Sequence, residues 1–260
     1  MIMAHKIKTS ERKRQNDLRR RGLKASLKFE TRLKVLRAHE VKRVLALCKE
    51  VTKDPDLWAA TIDGTLDERA YLPKWQEDLY RTIGLPMAKS TAQDLNKQKA
   101  AADEDFWLNE LTAYAQERAG SNIVIVSGTL REELINIVRA QMTADPTLGV
   151  EKLTKRIYEK YLELAKWQVR RIAQTESMIG MADAANIAAK TLDVRFTKQW
   201  CISGLGNTRD THQMMDGYEV DEDEPFELQG GMLMYPHDCS LGADAAEIIN
   251  CACCCIRRPK

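Results

Sequence analysis

Apolar residues recur at helical spacing through the first two thirds of the chain, and this pattern stops after Leu192. Leu33, Leu36, Val44 and Leu47 show the spacing near the amino terminus, where it predicts one or two helices over about residues 8–50. Further helices are predicted over about residues 72–83, 103–118, 129–141 and 150–192. A chain with this pattern is expected to be mainly helical up to Leu192.

Glycine, proline and polar stretches interrupt the helical pattern. Gly84-Leu85-Pro86 predicts the end of the second helix, and Gly180 predicts a bend or a split in the last one. Residues 87–103 are polar and predict a linker or a loosely packed helix. Asn122–Ser127 is a short run rich in β-branched residues, which predicts a strand or an extended connector.

The sequence beyond Leu192 alternates short β-prone runs with glycines. Strands are predicted over residues 194–202, 218–220 and 232–235, and residues 243–250 predict a short helix or turn. The predicted fold class is therefore α+β, with a mainly helical N-terminal region followed by a small α+β C-terminal domain with short strands. The predicted boundary separates residues 1–148 from residues 149–260.

Charge is unevenly distributed along the 260 residues. Residues 1–46 hold 15 Lys or Arg against four acids, a net charge of +11, so the remainder carries −9 of the total of +2. This basic arm predicts contact with an anionic partner such as double-stranded DNA, although a solvated helix face has the same pattern. The residues predicted to bind nucleic acid are Arg12, Lys13, Arg14, Arg19, Arg20 and Arg21.

Five of the seven cysteines lie near the carboxyl end. The chain shows no secretory signal and no apolar run long enough for a membrane span, so a reducing compartment and no membrane partner are expected. Cys251 and Cys254 have the spacing of a zinc knuckle, and Cys239 with His237 or His212 can complete four ligands. The alternative is that these cysteines are small buried residues that close a domain.

Short polar motifs follow one another in a fixed order between about residues 149 and 253. The series consists of Arg171-Ile172-Ala173-Gln174-Thr175-Glu176, Ala185-Asn186, Lys198-Gln199-Trp200, Asn207-Thr208-Arg209-Asp210-Thr211-His212, Asp216-Gly217, Glu224-Pro225-Phe226, Tyr235-Pro236-His237-Asp238 and Ile249-Asn250-Cys251-Ala252-Cys253. In this order the segment resembles the C-terminal domain of the phage Mu F-like head morphogenesis proteins. Gln174, Asn207 and Ala252 depart from that family's pattern, which has arginine at each of these places.

The resemblance implies a minor head protein of a tailed phage, without enzymatic activity. Such a protein is expected in the virion, in the capsid interior near the portal vertex, after assembly in the host cytoplasm. Its expected partners are the portal protein, other capsid components and DNA. Its expected role lies in head assembly and in DNA packaging or ejection.

The same polar residues allow three physical interpretations. In the first, a structural polar network pins a loop to the last long helix, and its members are Arg171, Thr175, Glu176, Arg209, His212 and Asp216. In the second, Glu176, Asp210 and His212 serve an enzyme of the nuclease or transferase type. In the third, a metal ion stabilises a DNA-binding protein.

Overall fold

This computed structural model describes residues 6–95, 104–204, 208–238 and 240–260, without the side chains of residues 118–127. The described residues form seven α-helices and five β-strands. The helices are α1 Thr9–Lys49, α2 Pro55–Thr65, α3 Leu72–Leu95, α4 Glu104–Ala144, α5 Val150–Lys190, α6 Asp210–Met214 and α7 Ala245–Ile248. The strands are β1 Phe196–Cys201, β2 Glu219–Asp221, β3 Phe226–Leu228, β4 Gly231–Leu233 and β5 Cys254–Pro259. The prediction of an α+β chain with a helical N-terminal region and a small C-terminal region of short strands is confirmed.

The chain divides into two compact units, each built from separate stretches of sequence. The strand-bearing unit comprises Met1–Leu27, Glu77–Tyr114 and Ala173–Lys260, and the helical unit comprises Lys28–Gln76 and Ala115–Ile172. The boundary predicted between residues 148 and 149 stays a prediction. No helix of the described residues is long and apolar enough to cross a membrane.

A buried ion pair lies in the core of the helical unit. Arg37 donates from Nε and Nη2 to the two carboxylate oxygens of Glu68, at 2.7 and 3.1 Å, and both side chains are almost completely buried. Tyr71 donates its hydroxyl to the same carboxylate at 2.7 Å. Buried charges are costly unless they are paired and hydrogen-bonded. The two hydrogen bonds from Arg37 and the one from Tyr71 meet this requirement for the Glu68 carboxylate.

The sheet of the strand-bearing unit has the order β2-β1-β5, and both pairings are antiparallel. β3 and β4 form a separate antiparallel pair. The start of α1 packs on this region: Arg12 bonds Asp216 at 2.7 Å, and Glu11 accepts two hydrogen bonds from Arg258 of β5. Trp200, Phe226 and Tyr235 lie in the core beside the carboxyl-terminal cysteines.

Two glycines that were predicted to interrupt helices lie inside continuous ones. α3 runs through Gly84 and Pro86 to Leu95, and α5 runs through Gly180. A Cβ on Gly84 would lie 3.2 Å from the carbonyl oxygen of Gly180, and a Cβ on Gly180 would lie 2.8 Å from the ring of Tyr80. The glycines therefore permit close helix packing and do not end the helices.

The predicted strand or connector at Asn122–Ser127 is also wrong, because these residues lie within α4. β-branched residues have only a small penalty in a helix, which the surrounding helical sequence outweighs. The last strand, β5, went unpredicted because its cysteines and arginines do not alternate in hydrophobicity. Residues 96–103, part of the predicted linker, lie outside the described residues.

Candidate functional site

His212, Cys251 and Cys253 come together in the strand-bearing unit, and all three are buried. His212 lies on α6, and the two cysteines lie in the turn between α7 and β5. His212 Nδ1 is 3.5 Å from each sulfur, and the three potential ligand atoms lie within 4.8 Å of one another. Thiolate and imidazole donors in one buried group suit a metal ion such as zinc. We call these residues the His-Cys-Cys group.

Glu247 of α7 sets the orientation of the His212 ring. His212 Nε2 lies 2.7 Å from Oε2 of Glu247, and the Thr211 hydroxyl donates to the same oxygen at 3.4 Å. Burial lowers the pKa of His212, but the hydrogen bonds to Cys251 and Glu247 outweigh this effect and raise it above its ordinary value. With Nε2 bonded to the carboxylate, Nδ1 is the nitrogen that faces the two sulfurs.

The pKa values of the two cysteines of the group are shifted in opposite directions. The hydrogen bond from Cys253 is the main cause that holds the pKa of Cys251 well below its ordinary value, and His237 and His212 add to it. The pKa of Cys253 is raised because its thiol donates to Cys251 and because it is buried. The backbone N–H of Cys253 also donates to the Cys251 sulfur at 3.3 Å. Of the two cysteines, Cys251 is therefore the one whose environment favours the thiolate.

His237 lies beside the group, in the segment that follows β4. It is completely buried and its backbone has φ 76°, which is unusual for a residue other than glycine. Nε2 is 3.1 Å from the carbonyl oxygen of Cys253 and donates to it, whereas Nδ1 has no hydrogen-bond partner. A buried imidazole nitrogen without a partner is costly unless something binds it.

The structure brings together only some of the residues that were predicted to bind a metal. Cys251 and His237 lie at the site, and Cys239 lies outside the described residues. Cys254 was predicted to be a ligand, but its thiol is hydrogen-bonded to that of Cys201, its cross-strand neighbour in β1. Because side chains alternate along an extended chain, Cys251 and Cys253 share a side and Cys254 faces away. A search for the pattern Cys-x-Cys would have selected the two cysteines that the structure brings together.

Members of the predicted polar network have separate partners. Glu176 accepts from the Tyr80 hydroxyl at 2.9 Å, Thr175 Oγ1 accepts from the Asn250 N–H at 3.3 Å, and Asp216 binds Arg12. Arg209 donates to the carbonyl oxygen of Ile249. In the helical unit, Arg171 lies over the Trp167 ring. A single network of these residues stays a prediction, and Asn207 of the same motif series lies outside the described residues.

The predicted DNA-binding residues are of two kinds. Lys13, Arg14, Arg20 and Arg21 are exposed, whereas Arg12 is half-buried. Arg19 is completely buried, and its guanidinium donates to the carbonyl oxygens of Gln15, Ala252 and Ile202. Arg19 thus serves the fold and is not available to a phosphate group in this structure. DNA binding by the exposed residues stays a prediction.

Comparison with known proteins gives one curated relative. The chain is 25% identical over 234 residues to an NAD(+)–arginine ADP-ribosyltransferase of Enterococcus faecalis, and the match covers 88% of this chain. The chain spans 44% of that relative's length. No protein-family model matches the chain, and no solved structure matches it significantly.

The name of this relative points to an enzyme and overturns the predicted function. The predictions of a minor head protein without enzymatic activity, and of its capsid and portal role, are therefore wrong. The physical reason is that short polar motifs describe a local arrangement of loop and helix, and such an arrangement does not determine activity. The predicted partners and virion location stay predictions.

Proposed function

We propose that this chain belongs to a transferase that moves ADP-ribose from NAD+ to arginine side chains. The observation that carries the proposal is the extent of the match to the arginine ADP-ribosyltransferase, 88% of this chain. A match of this extent includes residues of both compact units, so the likeness concerns the architecture and not one motif. The chain spans 44% of the relative's length, so we propose the relative's activity for this chain and test it below.

The reaction sets requirements for the residues that perform it. The bond between nicotinamide and ribose C1′ breaks, and nicotinamide leaves with the bonding electrons. A guanidinium nitrogen of arginine forms the new bond to C1′ and loses a proton. A carboxylate beside C1′ stabilises the positive charge that develops on the ribose. An acidic side chain open to both substrates is therefore required.

The three residues of the enzymatic alternative differ in accessibility. Glu176 and His212 are buried and bonded to Tyr80 and Glu247. Asp210, at the first turn of α6, is exposed. Asp210 is therefore the carboxylate of the three that a substrate can reach, and we propose it for the test.

The test uses the purified chain with NAD+ and agmatine, a small guanidine acceptor. We expect release of nicotinamide and formation of ADP-ribosyl-agmatine, both detected by mass spectrometry. Asp210→Asn is expected to lower the rate of transfer at least about 100-fold, as loss of one electrostatic contact to a transition state does. Asp223→Asn, which changes another exposed acid, is expected to keep the rate. A folded chain that neither transfers ADP-ribose nor hydrolyses NAD+ contradicts the proposal.

We also propose that the His-Cys-Cys group binds zinc. Its two sulfurs and one imidazole nitrogen are donors that zinc prefers, and harder ions such as magnesium and calcium prefer oxygen. The distances support this choice, because tetrahedral zinc with bonds of about 2.3 Å to sulfur and 2.0 Å to nitrogen places N and S about 3.5 Å apart. His212 Nδ1 lies 3.5 Å from both sulfurs.

A further inference from the structure

Three protein donors leave one position of a tetrahedral zinc ion open. An open position is typical of catalytic zinc, where water or substrate occupies it, whereas structural zinc has four protein ligands. The residue in the fourth position thus decides between a catalytic and a structural ion.

We propose that His237 is the fourth ligand, which makes the site a closed Cys2His2 zinc centre with a structural role. This inference rests on the zinc proposal above and is independent of the transferase proposal. His237 is completely buried, its Nε2 lies 3.1 Å from the carbonyl oxygen of Cys253, and its Nδ1 has no hydrogen-bond partner. Coordination by zinc gives this buried nitrogen the partner that the protein does not provide.

The two histidines are held in the same way. Nε2 of His212 is bonded to Glu247, and Nε2 of His237 donates to the carbonyl oxygen of Cys253. In both rings this contact holds a proton on Nε2, so Nδ1 is the nitrogen through which the ring can bind an ion. Ligating histidines in metal sites are usually oriented by such a contact of the second nitrogen. The structure therefore prepares both Nδ1 atoms for a metal.

His237 lies outside the compact group of three donors, whose atoms are within 4.8 Å of one another. Its segment directly follows the short strand β4, and its φ of 76° turns the chain there. A strained backbone conformation at a buried histidine is frequent at ligand sites, where binding compensates for the strain. Coordination by all four residues therefore requires Nδ1 of His237 to come closer to the other three donors than it lies in this structure.

Closure of the site has a consequence for stability. The four ligands come from α6, from the segment after β4 and from the turn before β5, which are separate parts of the strand-bearing unit. β2, β3 and β4 have only three residues each, so hydrogen bonding between strands stabilises this region little. A zinc ion that joins these segments contributes its binding free energy to folding.

The test begins with wild-type protein purified from zinc-replete cells without a chelator. We expect about one zinc per chain by mass spectrometry, and two sulfur and two nitrogen ligands by X-ray absorption at the zinc edge. Two sulfurs with one histidine and a water oxygen overturn the inference while the zinc proposal stands. Protein without zinc that also fails to bind added zinc or cobalt overturns both, and the transferase assay is unaffected by either result.

Variants provide a second measurement. His237→Ala is expected to weaken zinc binding by more than about 100-fold, beyond the usual effect of a residue that only orients a ligand. A smaller loss overturns the inference. The matched control is His39→Ala, which removes an exposed histidine of the helical unit. Cys254→Ser, next to the proposed ligand Cys253, is also expected to retain zinc, because the Cys254 thiol is hydrogen-bonded to Cys201 across the β1–β5 pair.

Discussion

His212 and Glu247 form a buried pair in which Nε2 lies 2.7 Å from the carboxylate oxygen, with 1% and 8% of the two side chains exposed. The pair connects α6 with α7. A Cβ on Gly230 would lie 2.6 Å from the Glu247 side chain, so a glycine is required where Glu247 packs. Packing around Glu247 thus fixes the orientation of the His212 ring, which lies against the two cysteines.

Glu247→Gln should weaken zinc binding while leaving all the proposed ligands in place. The amide no longer holds His212 with the full strength of a carboxylate, and loss of such an orienting residue costs about 10–100-fold in metal affinity. Competition with a fluorescent zinc chelator measures the effect. Glu227→Gln, at an exposed position of β3, is the control. Unchanged affinity in Glu247→Gln would show that this carboxylate does not orient the ring.

Arg37→Met should strongly destabilise the helical unit. It leaves the buried Glu68 carboxylate without its bidentate partner, and breaking one side of a buried pair costs about 3–5 kcal/mol. Urea unfolding followed by circular dichroism measures the change. Arg69→Met, in an exposed pair with Asp67, should change stability by no more than about 0.5 kcal/mol. Similar effects of the two substitutions would contradict the buried-pair interpretation.

Gly180→Ala and Gly64→Ala should have opposite effects on stability. A Cβ at Gly180 meets the Tyr80 ring at 2.8 Å, whereas a Cβ at Gly64 meets nothing within 4 Å. The first substitution is expected to cost about 1–3 kcal/mol through overpacking. The second, in α2, is expected to stabilise by up to about 1 kcal/mol through helix propensity. Thermal unfolding of both variants tests this, and a stabilised Gly180→Ala would exclude the close contact.

Because Lys198 is buried, its contribution to the free energy of unfolding is expected to increase at alkaline pH. Its side chain is buried, donates to the carbonyl oxygen of Met234 at 2.8 Å, and burial lowers its pKa to about 8 from 10.5. Between these values the unfolded chain binds more protons than the folded one, so the free energy of unfolding contributed by this group increases as pH rises. Below about pH 8 the lysine is charged in both states and this contribution is constant.

The pH effect is measured as a difference between variants. The wild type should gain stability relative to Lys198→Met from about pH 8 to pH 10.5, by no more than about 3 kcal/mol. Lys166→Met, at an exposed position of α5, should follow the wild type. If wild type and Lys198→Met have parallel profiles, Lys198 does not titrate in this range.

The sequence alone determined the fold class and the position at which helices give way to short strands. Helical periodicity up to Leu192 and short β-prone runs after it are local properties, and the structure has α5 ending at Lys190 and β1 beginning at Phe196. The tendency of Cys251 toward a metal site was also visible, because cysteine spacing is a local pattern. Helix ends were less predictable, since Gly84 and Gly180 serve contacts with distant residues.

Only the tertiary structure decided which side chains meet. His212, Glu247 and Cys253 are separated by as many as 41 residues, and no local rule determines that α6 and α7 place them together. Arg19 belongs to a run of arginines, yet packing of α1 on the sheet buries it while Arg20 and Arg21 stay exposed. Periodicity records the preferences of neighbouring residues. Burial and ligand geometry depend on long-range packing, which a local pattern does not contain.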